Sequence, residues 1–111
     1  MDMPASRIRF RKGALNFWVA LHEKDVDRAN EETAEGDRLV EYWATRGRVR
    51  EFLGPMVKDG DPEVRFAAAS HLLSHGGEDK ALRVLEELQF ESSMIGPSAR
   101  LRLMKWRQDG R

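Results

Sequence analysis

The sequence predicts an all-α protein of about six helices folded as antiparallel helical hairpins, and three observations carry that reading. Apolar residues recur at steps of three and four through most of the chain, the periodicity of one helix face. Between these segments stand residues that start and stop helices, notably Asp25, Gly47, Asp61-Pro62, Gly76-Gly77 and Gly96-Pro97. A thirty-five-residue offset also superimposes Pro62-Glu63-Val64-Arg65-Phe66 on Pro97-Ser98-Ala99-Arg100-Leu101, and Val49 and Leu53 on Val84 and Leu88. Self-similarity at such a period is what stacked hairpins produce, because each must bury its apolar face against the next.

A first helix is expected from Arg7 to His22, with Ile8, Leu15, Trp18 and Leu21 on its inner face and Gly13 weakening it. Asp25 is placed to cap a second helix. In it Val26, Ala29, Thr33, Gly36, Val40 and Trp43 form one stripe, while Asp27, Glu31, Glu35 and Arg38 form another that faces solvent. Gly47 should end it. A shorter segment follows with Val49, Phe52, Leu53, Met56 and Val57, and Gly54-Pro55 should bend it, since proline lacks the amide hydrogen and its ring crowds the preceding turn.

Asp59-Gly60-Asp61-Pro62 reads as a turn whose Asp61 carboxylate accepts orphan amide hydrogens and whose proline is pre-set for the first helical position. The helix so opened carries Val64, Ala67, Ala68, His71, Leu72 and His75. A further helix runs from about Glu78 to Leu88 with Ala81, Leu82, Leu85 and Leu88 inward, and a last one from Pro97 to about Arg107. With 111 residues there is room for one domain. Within it we distinguish an N-terminal helical pair (7–47), a complete helical unit (48–76) and a degenerate second unit (77–108).

The stretch from Leu53 to Leu72, LGPMVKDGDPEVRFAAASHL, resembles a HEAT repeat, with Asp59, Asp61, Val64, Arg65, Ala68 and Leu72 as the key matching positions. The resemblance implies a short α-solenoid in which Pro55 bends the first helix of the unit, Asp61 and Arg65 bridge successive units, and Ala68 and Leu72 pack inward. The layout of the whole chain is similar to a small family of bacterial HEAT-like domains, some of whose members are immunity proteins of toxin systems. That similarity implies a non-enzymatic protein-binding role, in its most specific form the neutralisation of a cognate toxin.

Charge and composition narrow the chemistry. Formal net charge is zero, but residues 23–41 hold eight acidic against three basic side chains, a net of −5, whereas residues 95–111 hold five basic against Asp109 alone. Acidic Asp27, Glu31, Glu32 and Glu35 are therefore the candidate partner-binding residues, acting as steering charges toward a basic protein. The alternative is nucleic-acid binding by Arg7, Arg9, Arg11, Lys12, Arg100, Arg102, Lys105 and Arg107, if the two termini share one patch.

The absence of cysteine removes disulfides, thiolate zinc sites and thiol nucleophiles. No apolar run suggests a membrane span or leader, so a cytoplasmic protein without a membrane partner is expected. His71 and His75 share a helix face but lack the intervening glutamate of a zinc-protease helix. We read one as a seam residue and the other as a helix-end residue, with no metal and no cofactor. Paired acids become catalytic only where a cleft separates their pKa values, which an exposed stripe does not do, and no serine stands in a nucleophile context. Trp18, Trp43 and Trp106 are expected in the core or its seams.

Overall fold

In the computed structural model, which describes residues 1–109, the chain forms six α-helices and, among those residues, no strand. Helix α1 (Met3–His22) starts earlier than its hydropathy suggests because the Asp2 carboxylate accepts a hydrogen bond from the Ala5 amide at 2.7 Å. Pro4 in that first turn gives up no bond the helix could have used. The face that α1 buries carries Met3, Ser6, Phe10 and Ala20, with Leu15 and Trp18 packed at its edge. This corrects the expected stripe: Ile8 is 70% exposed and Leu21 lies in the exposed range. Ile8 stands two residues, about 200° of turn, from buried Phe10.

A tight turn, in which Lys24 takes a left-handed φ of 61°, returns the chain into α2 (Val26–Ala44). There the Asp25 carboxylate accepts from the Arg28 amide at 3.1 Å, as the sequence indicates. Ala29, Leu39, Val40 and Trp43 are buried, but Val26 and Thr33 face solvent and leave the expected stripe. Gly47 takes a left-handed φ of 70° while the Arg48 amide bonds back to the Trp43 carbonyl at 2.9 Å, and α2 stops there.

Helix α3 (Val49–Leu53) is short, and after Gly54-Pro55 the chain continues only as a 3-10 turn over Met56–Lys58. The bend expected at Pro55 is thus a change of helix type, with Phe52, Leu53, Met56 and Val57 all buried across it. Helix α4 (Pro62–Leu73) follows, then α5 (Glu78–Leu88), whose bounds and inward Ala81, Leu85 and Leu88 match the sequence reading. Helix α6 (Ile95–Gln108) begins two residues before Pro97.

Helix α4 is central: it packs against α1, α3, the 3-10 turn, α5 and α6, while α2 packs on α1 and α3 at the other side. Its Val64, Ala68 and Ala69 are fully buried, and small residues of this kind let neighbouring helices approach closely. Phe52 joins the layers, meeting the Phe10 ring edge-on at 5.7 Å and stacking with Trp43 at 6.2 Å. Trp43 is 3% exposed, and Trp18 and Trp106 pack partly buried against the core, as expected of all three. The internal echo has a structural counterpart. Val64 and Ala99 are both fully buried, and Arg65 and Arg100 each donate to a carbonyl of the preceding loop, Asp59 O at 2.7 Å and Gln89 O at 2.6 Å.

One local expectation fails. Asp61 occupies the N-cap position of α4, yet its carboxylate caps no amide; with Asp59 it holds the Arg11 guanidinium of α1. The Asp59 carboxylate meanwhile accepts from the Asp61 amide at 2.9 Å, closing the turn. Arg65 lies 4.0 Å from Glu91 in the α5–α6 loop, and Ala68 and Leu72 are buried. Asp61 and Arg65 therefore tie α4 to elements before and after it.

Candidate functional site

Two glycines in helix interiors open a cleft where α1, α2 and α4 meet. Such glycines cost roughly 0.5–1 kcal/mol each relative to alanine, so their placement is informative. A Cβ added at Gly36 of α2 would meet nothing within 4 Å, and one added at Gly13 of α1 would touch only Glu32 Oε1, at 3.5 Å. The space left is about 150 Å³, bounded on α4 by Phe66, Ala67, Ser70 and His71. Gly13 and Gly36, which the sequence offers only as a weak point and as one member of a stripe, are the residues that make this site.

Aromatic side chains line it. Phe10 is 3% exposed, while Phe17, Trp18 and Phe66 are half-buried. Trp18 meets Phe17 edge-on at 5.3 Å and Phe66 at 6.1 Å, an interlocked arrangement that holds the surface in shape. Ser70 Oγ is buried at the cleft without a hydrogen-bond partner among the described residues.

The polar rim consists of Arg9, Glu32, Glu35 and His71. Glu35 is bound by Arg38 at 2.8 Å and also by Arg9; the hydrogen bond from Arg38, then the charge of Arg9, hold its carboxyl below the usual range. Glu35 thereby ties α2 to α1. Glu32 has no ion pair among the described residues. His71 packs edge-on to Phe10 at 5.9 Å and lies 3.7 Å from Asp37. Burial pushes its pKa down, outweighing the pull of Asp37, so the ring is neutral at neutral pH. Glu35 is thus shared by two arginines, and Glu32 is the rim carboxylate without an ion pair among the described residues.

No protein-family model, curated protein or solved structure matches this chain. The site is therefore described by its own geometry.

Of the four acidic residues singled out in the sequence, Asp27 and Glu31 stand fully exposed on the outer surface of α2, while Glu32 and Glu35 reach the cleft. The remaining α2 surface between Glu31 and Arg38 forms a shallow depression beside it. His75 sits at the end of α4 with its Nδ1 2.8 Å from the His71 carbonyl, and His71 lies in the seam, so the two histidines divide as the sequence suggests. Among the described residues no three His, Asp or Glu side chains converge as metal ligands would, and no helix is long and apolar enough to cross a membrane.

The basic residues near the ends are largely engaged within the fold. Arg7 donates to the Phe52 and Glu51 carbonyls at 3.1 and 2.7 Å, Arg9 and Arg11 pair with Glu35, Asp59 and Asp61, and Arg102 donates to the Ser70 carbonyl at 3.4 Å. Arg107 lies 3.8 Å from Glu86.

Proposed function

We propose that this chain is a non-enzymatic protein-binding module that covers a basic surface of its partner with the α1–α2–α4 face. In its most specific form it is an immunity-type protein that neutralises a cognate bacterial toxin domain by direct binding. The carrying observation is the aromatic cleft between Gly13 and Gly36, open to solvent and rimmed by the uncompensated Glu32. Preformed apolar concavities with a few polar groups are where binding energy concentrates, and aromatic side chains supply much of it.

Asp27 and Glu31 add to this a field that favours a positively charged partner and speeds encounter rather than tightening the final complex. The HEAT-like stretch and the chain layout support the immunity form of the reading. The engagement of Arg7, Arg9 and Arg11 inside the fold leaves less basic surface for a phosphate backbone than the sequence alone offers, which favours a protein partner.

The test is capture of partners from native lysate by the tagged chain, with and without nuclease, using the parent protein and a Trp18→Ala, Glu32→Gln double variant. A stoichiometric basic protein retained by the parent and lost by the variant supports the reading. Equal retention by both dismisses the cleft, and nuclease-sensitive recovery replaces the protein partner with nucleic acid.

A further inference from the structure

The cleft has a wall and a charge that together favour one kind of group. Its volume of about 150 Å³, open to solvent, leaves room for a slender side chain. The walls are the rings of Phe17, Trp18 and Phe66, whose faces attract cations and whose apolar area covers an alkyl stem. At the mouth Glu32 is the carboxylate without an ion pair among the described residues, whereas Glu35 is shared by Arg9 and Arg38.

We infer that the cleft is a receptor for an alkylammonium group, presented by the protein partner as a lysine side chain. The stem lies along the aromatic wall and the ammonium meets Glu32. This rests on the protein-binding reading above and adds the chemistry of the anchor. Gly13 has a direct part in it: with no side chain there, the Glu32 carboxylate lies over the backbone of α1 at the cleft, within 3.5 Å of where a Cβ would stand. A partly exposed ion pair and a cation–π contact together favour the ammonium over an uncharged group of the same shape about tenfold.

The experiment uses n-butylammonium, the lysine side chain in isolation, against the isosteric 1-butanol and the anion butyrate. Amide NMR signals of Gly13 and Gly36 report on the cleft itself. Butylammonium is expected to shift both signals saturably, about tenfold more tightly than butanol, with butyrate weaker than either. Glu32→Gln should lower the preference to about threefold, the part that the rings supply. Equal binding of amine and alcohol, shifts confined to other residues, or an undiminished preference in Glu32→Gln would overturn the inference.

The two readings fail separately. A protein partner bound equally by the parent and Glu32→Gln keeps the binding module and removes the lysine anchor. A clear ammonium preference with no protein partner captured keeps the receptor and removes the module.

Discussion

Replacing Gly36 by alanine should stabilise the protein, and the size of the effect follows from the cleft. Gly36 lies inside α2, where glycine is about 0.8–1.0 kcal/mol less favourable than alanine. Such a gain is usually offset by crowding, but here the added Cβ meets nothing within 4 Å. Unfolding entropy of roughly 2.1 cal/mol/K per residue gives a chain of this length about 0.23 kcal/mol/K, so a gain of about 1 kcal/mol raises Tm by about 4 °C. Thermal unfolding followed by far-UV circular dichroism measures it directly. Gly36→Leu keeps the helix-forming gain but projects a larger group into the cleft, so it should abolish the butylammonium shifts at Gly13 without lowering Tm. A Gly36→Ala variant no more stable than the parent would refute the argument, for it would mean that the space beside α2 is not open.

Gly96 supplies the opposite case: a Cβ there would lie 2.2 Å from the Glu91 carbonyl oxygen, so Gly96→Ala should cost about 3 kcal/mol and lower Tm by about 12 °C in the same assay. Lys24, held in a left-handed conformation between α1 and α2, should gain about 1 kcal/mol on substitution by glycine, read as a higher denaturant midpoint. His71 is held below the ordinary imidazole range by burial, so the unfolded chain binds its proton more tightly than the folded one does. Stability should therefore fall as pH drops from about 6.5 toward the folded-state value, and His71→Gln should flatten that part of the denaturant-midpoint profile; an identical profile in the variant would remove His71 as its source. Once a partner is in hand, Asp27→Lys with Glu31→Lys should slow association several-fold with little effect on dissociation, an effect that shrinks in high salt; unchanged association rates would take the outer acidic surface out of the mechanism.

Much of the fold was legible because its signals are local. Asp25 bonds an amide three residues away, Gly47 supplies a left-handed turn, and Pro62 opens α4, so adjacent residues were enough to place these boundaries. The inner face of α1 was not legible, because α2, α3 and α4 all pack against that helix and it buries Ser6 and Ala20 completely, residues that hydropathy does not mark. Asp61 looked like a cap for the same reason that Asp25 did. Its carboxylate went to Arg11, fifty residues earlier in the chain, a competition that no local pattern reveals.

The same competition decides what the acidic stretch can do. In the sequence residues 23–41 form a single block of net charge −5. In the fold Arg9 reaches Glu35 from α1, Arg38 shares it, Arg28 takes Glu23, and His71 lies beside Asp37. Among the described residues Asp25, Asp27, Glu31, Glu32 and Glu41 of this stretch have no ion pair, and Asp37 keeps its charge beside the neutral His71; of these Glu32 lines the cleft. A cationic partner drawn toward α2 meets Glu32 at the mouth of the aromatic cleft, where Gly13 and Gly36 leave room. Steering and anchoring meet at one residue, so Glu32→Gln should reduce both the ammonium preference of the cleft and the association rate, whereas substitution at Asp27 should reduce the rate alone.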